Sequence, residues 1–150
     1  MIRVRLQAEP FGAGAELARL DALGGGGVAS FTGLVRGDDG LTELLLEHHP
    51  QMTLAMLEAL ATGASERWDL LGLTILHRYG SLGPGAPIVF VATAAKHRAA
   101  ALEACASLID RLKTQAPFWK RETFADGRQN WVEPRASDDA AAARWLRDGG

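Results

Sequence analysis

The sequence predicts an α+β domain, and three observations predict it. Runs that alternate apolar and polar residues, the strand period, lie among runs that repeat every three to four residues, the helix period. The two kinds follow one another without the strict strand–helix–strand order that builds a parallel sheet. Two pairs of strand-like runs are joined by short turn segments, Gly37-Asp38-Asp39-Gly40 and Asp126-Gly127, which read as hairpins.

Residues 1–7 alternate as a half-buried strand. Residues 13–23 carry Leu17, Leu20 and Leu23 at helical spacing, then stop at the glycine run 24–27, where each helical glycine costs about 1 kcal/mol. Residues 28–36 (VASFTGLVR) predict a strand, and 41–48 a second one paired with it. Pro50 opens a helix to about residue 68, with Met52, Met56, Leu57 and Leu60 as its inner face. Residues 71–78 and 88–94 are β-rich. Residues 96–115 predict the longest helix; Leu102, Cys105, Ala106, Ile109 and Leu112 keep its spacing, and Pro117 blocks continuation. Residues 118–124 and 129–132 predict the last hairpin. Residues 137–147 predict an Ala-rich terminal helix with Ser137 as its N-cap.

With 150 residues the chain holds one domain, 1–150, with a real core. Its 47% hydrophobic and 23% charged residues exclude a disordered chain. A formal net charge of −2 gives no overall basic field for nucleic acid. The single cysteine, Cys105, excludes an internal disulfide and a multi-cysteine metal site. The N-terminal run has no apolar core of signal-peptide length, and no apolar run approaches the roughly 20 residues that span a bilayer. These totals predict a soluble, cytoplasmic protein.

The charge is unevenly placed. Between residues 96 and 122, Lys96, Arg98, Arg111, Lys113, Lys120 and Arg121 outweigh Glu103, Asp110 and Glu122, a local excess of +3. Lys96, His97 and Arg98 fall at the start of the long predicted helix, where cations oppose the macrodipole by a few tenths to about 1 kcal/mol each. Either they hold an anion with the helix's open N–H groups, or they bend into solvent. Lys113 lies on the order of 22 Å further along that helix. Lys120 follows the stop at Pro117 and can return beside it. Two ammonium groups brought close, and desolvated by Phe118 and Trp119, have lowered pKa values and suit acid–base or nucleophilic work. Two solvated lysines at a helix end and a strand start are the commoner case.

Other residues carry less. His48 and His49 point to opposite faces of a strand and cannot chelate one ion. His77 reads as a satisfied core histidine, and Cys105 as a small core hydrophobe. The glycine run lacks the Lys-Ser/Thr of a phosphate loop. Ser30 and Ser81 have no triad order.

Four segments, SFTGLVR (30–36), LEHHPQM (46–52), ILHRYGSLGPGAPIVFVATAAKHR (75–98) and DRLKTQAPFWKRE (110–122), followed by DGRQNWVEPR, resemble in this order the large, catalytic subunits of molybdopterin synthase, the MoaE family. The likeness spans about residues 28–147. It implies an α/β-hammerhead-like core with an additional β subdomain. It implies a homodimer within a heterotetramer, flanked by a small ubiquitin-like sulfur carrier whose C-terminal Gly-Gly ends in a thiocarboxylate. The implied substrate is cyclic pyranopterin monophosphate, which receives two sulfurs to form the dithiolene of molybdopterin, with no cofactor and no metal. Matched position by position, Lys113 and Lys120 take the catalytic places. Leu34, Val35, Arg36, His97, Arg98, Arg121, Glu122 and Arg135 take substrate-binding places beside them. Arg135 is implied to reach across the dimer, and a second chain would let helix-start and helix-end cations share a pocket. The turn 37–40 is shorter than is usual in the family. Asp148-Gly149-Gly150 mimics the carrier's tail and reads as incidental. Two rival readings stand beside this: a non-catalytic dimeric scaffold that docks the ubiquitin-like partner, and an RNA-binding domain stacking bases on Phe118 and Trp119, which the net acidity opposes.

Overall fold

The structure, a computed structural model, describes residues 1–132 together with Ala143 and Trp145. Strands β1 (Ile2–Gln7), β2 (Gly27–Leu34), β3 (Leu41–His48), β4 (Gly72–Arg78), β5 (Gly80–Leu82), β6 (Pro87–Ala95), β7 (Phe118–Phe124) and β8 (Gln129–Val132) alternate irregularly with helices α1 (Ala13–Asp21), α2 (Pro50–Trp68) and α3 (Arg98–Gln115). The α+β expectation holds. The strands form two four-stranded sheets, one in the order β1-β4-β6-β2 and one in the order β5-β3-β7-β8.

The first sheet is covered on both faces. Strand β4 is buried along its whole length, as a central strand with two covered faces must be. Its alternation sends Leu73 and Ile75 toward α2 and α3, where they join Leu57, Leu60, Val91, Ala104 and Leu108 in the main core. Leu76, with Phe90, Ala92 and Ala94 of β6, packs on the other face against Leu20 of α1. The second sheet has its own core of Val35, Leu41, Leu44, Leu46 and Leu82, to which Phe124 and Tyr79 add partly buried rings.

Two expectations about pairing and packing are corrected. Strands β2 and β3 do not form a hairpin with each other. β2 pairs antiparallel with β6 in the first sheet, and β3 pairs with β5 and β7 in the second. Between them the chain crosses from one sheet to the other, pinned by a hydrogen bond from the Val35 N–H to the Ala86 carbonyl. On α2 the buried stripe is Thr53, Leu57, Leu60, Ala61 and Ala64, while Met52 is 60% exposed. Leu102 on α3 is also exposed. The β7–β8 hairpin forms as expected. The 137–147 helix lies outside the described residues except for Ala143 and Trp145, both helical.

Candidate active site

The Lys-Pro-aromatic-Lys stretch is held by its surroundings. Helix α3 ends at Gln115, and Pro117 forbids continuation. The Pro117 carbonyl accepts a hydrogen bond (3.0 Å) from the hydroxyl of Thr53, which is fully buried on α2. This anchor sets where β7 begins. From Phe118 the strand runs beside β3, with His48 opposite Phe118 and Leu46 opposite Lys120.

Strand alternation then sorts the block. Phe118, Lys120, Glu122 and Phe124 face a cavity of about 690 Å³. Trp119, 53% exposed, and Arg121 are not among its lining residues. Arg121 reaches Glu43 at 4.0 Å and lies 5.9 Å from the centre of the Trp131 ring. Expectation had Trp119 and Arg121 beside the lysines; the two-residue period of β7 turns both away from them.

The cavity lies where the two sheets meet the end of α3. Its apolar side comes from Phe31, Val89, Val91, Ile109 and Leu112. Lys113 enters from the last turn of α3 and Lys120 from β7, so two separate elements present ammonium groups to one space. Leu34, Val35 and Arg36 line it as the chain leaves β2, followed by Asp38 and Asp39 on a short 3₁₀ turn. Gly33 lines the wall, and a Cβ there would stand 2.8 Å from Val89 Cγ1. Like charges presented to one partly apolar space favour binding an anion that neutralises them.

His97 and Arg98 are elsewhere. Helix α3 begins at Arg98, with His97 as its N-cap residue making no side-chain capping bond, and Lys96 precedes it. All three are exposed and absent from the cavity lining, at the far end of α3 from Lys113. The backbone of Gly26 approaches here: its N–H bonds the Ala95 carbonyl at 3.0 Å, and a Cβ would collide with the Lys96 carbonyl. The glycine run therefore seats β2 against the start of α3. Within one chain the structure groups Leu34, Val35, Arg36, Lys113, Lys120 and Glu122, and leaves His97, Arg98 and Arg121 apart. Arg135 lies outside the described residues.

His77 is the core histidine that the sequence predicts, only 6% exposed. It also lines the cavity. Its position on the Leu73–Ile75 face of β4 is the sequence signal that it points toward α3. Its ring stacks on Phe118, with centroids 3.8 Å apart and planes 17° apart. Its Nδ1 is 2.8 Å from the Arg78 carbonyl. Burial lowers its pKa to about 4; the Arg78 carbonyl opposes that shift, and Lys120 and His48 add to it. Cys105, buried on α3, has its thiol pushed up to about 11 by desolvation, which suits its role as core.

Among the described residues no group of three His, Cys, Asp or Glu side chains converges as a metal site, and no helix is long and apolar enough to cross a membrane.

Fold and cavity together define an α+β protein with a lysine-bearing cavity at the junction of two sheets. A family model described as MoaE protein matches residues 6–115. The molybdopterin synthase catalytic subunit of Pseudomonas aeruginosa is 50% identical over 95% of this chain and 97% of its own. That of Cereibacter sphaeroides is 47% identical over 96% of this chain and 100% of its own. Among solved structures, the molybdopterin biosynthesis MoaE protein of Burkholderia ambifaria superposes with a TM-score of 0.82 at 46% identity, covering 97% of this chain and 98% of that one. The chain belongs to the MoaE family. The family model stops at Gln115, so the block carrying Lys120 is matched by the full-length relatives rather than by the model.

Proposed function

We propose that the chain is the catalytic subunit of a molybdopterin synthase. It takes sulfur from the C-terminal thiocarboxylate of a small ubiquitin-like subunit and transfers it to cyclic pyranopterin monophosphate, building the dithiolene of molybdopterin. The observation that carries this reading is the meeting of Lys113 and Lys120, from two different elements, over one cavity in a chain so similar to enzymes of that name.

The chemistry fits the residues. A thiocarboxylate and a phosphate are both anions, and two ammonium groups with Arg36 in the same lining attract both. Lys113 acts as acid, base or amine nucleophile where the sulfur is delivered, and Lys120 as its partner. Phe118 and the aliphatic wall limit water near the reactive acyl–sulfur group. The sulfur arrives already activated, so the reading needs no metal and no cofactor. Leu34 and Val35 add to the cavity wall, and Glu122 lies on the same face of β7 as Lys120.

His97 and Arg98 join the phosphate in this reading only if a second copy of the chain brings its α3 start to the cavity. The reading therefore includes a homodimer, with one small subunit at each cavity to make a heterotetramer, and places Arg135 near the shared boundary. The family's hammerhead core and β subdomain correspond here to the helix-covered first sheet and the second sheet, and the assembly is proposed for the cytoplasm. A non-catalytic scaffold would bind the same partner and make no product. The deciding experiment combines purified chain, thiocarboxylated small subunit and cyclic pyranopterin monophosphate. Dithiolene product identifies the enzyme; a stable complex without product identifies the scaffold.

A further inference from the structure

His77 lines the cavity, and the proposed chemistry gives it no role. Its geometry is unusually constrained. The Arg78 carbonyl can only accept, so the 2.8 Å contact fixes the proton on Nδ1. Nε2 then carries a lone pair, and no described residue is seen to donate to it. Phe118 clamps the ring plane at 3.8 Å. Phe118 and Lys120 are two residues apart on the same face of β7, about 7 Å along the strand. The ring lying on Phe118 is thus a neighbour of Lys120, and the two side chains line the same cavity.

We propose that His77 is a positioning residue for Lys120: its Nε2 lone pair draws the Lys120 ammonium inward toward the cavity. The inference rests on the sulfur-transfer reading for its consequence but not for its geometry. A neutral acceptor suits this place better than a carboxylate. It orients an ammonium without forming an ion pair that would hold the proton too tightly for exchange. Burial keeps the imidazole neutral, so no second cation forms beside Lys120. Among the described residues, the other charged or titratable groups facing this cavity or acting on His77 are Lys113 from α3, Glu122 from β7, His48 from β3, and Arg36, Asp38 and Asp39 beyond β2. None of them changes in the variants below.

The test reads Lys120 directly. Amine labelling of the intact chain across pH, with each lysine quantified by mass spectrometry, gives the midpoint for Lys120 and for Lys113. Removing an acceptor from an ammonium favours the neutral amine. His77→Phe, which keeps the stack, is expected to lower the Lys120 midpoint by about half a pH unit or more and leave Lys113 unmoved. His77→Gln, whose amide falls near Nε2, is expected to restore it, whereas His77→Asn, whose amide falls near Nδ1, is not. If the phenylalanine variant fails to fold, the Gln–Asn comparison carries the same contrast. An unmoved Lys120 midpoint in folded His77→Phe, or equal midpoints in the Gln and Asn variants, overturns the proposal. In the sulfur-transfer assay His77→Phe is expected to lower kcat about fivefold or more with KM nearly unchanged. Wild-type chain without product would overturn the functional reading and leave the labelling result standing on its own.

Discussion

The imidazole of His77 lies flat on the ring of Phe118, 3.8 Å between centroids, and this contact joins β4 of the first sheet to β7 of the second. The stack continues across β7 to β3, where His48 lies 6.3 Å from Phe118 and 4.3 Å from Tyr79. A titratable ring is therefore part of the seam between the sheets.

That seam predicts acid lability. In the unfolded chain a histidine titrates near 6.5; in the folded chain His77 titrates at about 4, held neutral chiefly by burial. Above pH 6.5 neither state is protonated and His77 leaves stability unchanged. Between 6.5 and 4 the unfolded chain takes up a proton that the folded chain refuses, so stability falls, by about 3 kcal/mol at most. His48, also lowered by burial and by His49, acts in the same direction. Chemical denaturation from pH 7.5 to 4.5 is expected to show this loss, and His77→Phe is expected to flatten it. An equal slope in both proteins would place the acid sensitivity elsewhere.

The lysines divide their work by element. Lys113→Ala removes an exposed side chain from a helix end, so fold and partner binding are expected to stay intact while turnover falls by on the order of a hundredfold or more. Lys120→Ala is expected to be less severe. Product formation by Lys113→Ala at near wild-type rate would remove Lys113 from the chemistry.

Thr53 is the remote support of the site. Its buried hydroxyl bonds the Pro117 carbonyl and so fixes the start of β7. Thr53→Val keeps the shape and leaves that carbonyl without its donor, at a cost of about 1–3 kcal/mol. Thermal melting is expected to drop by several degrees, and kcat to fall as Phe118 and Lys120 lose their register. A variant with the lower melting point and unchanged kcat would show that β7 is positioned by its pairing with β3 alone.

Much of this was legible in the sequence, and the failures have physical causes. Pro50, Pro117 and the Asp126-Gly127 turn marked their boundaries because each acts locally, through φ or a missing N–H. The expected β2–β3 hairpin does not form, because turn residues say that a chain reverses, not which sheet edge receives it. Met52 and Met56 were misplaced because the true inner stripe of α2 runs through Thr53 and two alanines, which carry little apolar signal. Leu34, Val35, Arg36, Lys113, Lys120 and Glu122 do gather at one cavity. Trp119 and Arg121 do not line it, as strand alternation alone predicts for the odd positions. The sequence predicts the burial of His77 but not its stacking partner, which lies 41 positions away in another sheet, beyond any local pattern.

The partner's tail is expected to enter between the cations. Calorimetric titration of the small subunit, with and without its last two glycines, checks this. Deleting the glycines is expected to weaken the complex, and raising salt to weaken the intact pair more than the truncated one, because screening acts on the tail's anionic end. Equal affinities with and without the glycines, insensitive to salt, would mean that the tail does not reach Lys113 and Lys120.

The separation of Arg98 from Lys113 along α3 leads to the sharpest test of the shared cavity. Arg98 opens α3 and Lys113 lies in its last turn, about 22 Å along the helix axis, too far for one small phosphate ester to touch both. Arg98→Ala is expected to raise KM for the pterin more than tenfold, the loss of a charge-assisted contact worth about 1.5–3 kcal/mol. Lys113→Ala is expected to lower kcat. If each cavity takes Lys113 from one copy and Arg98 from the other, a mixed dimer of the two variants has one site carrying both lesions and one carrying neither. Random exchange makes about half of the dimers mixed, so about a quarter of wild-type sites are expected to return when the two variants are mixed. A mixture no more active than the sum of its parts, after exchange is confirmed by mass, would confine each cavity to a single chain.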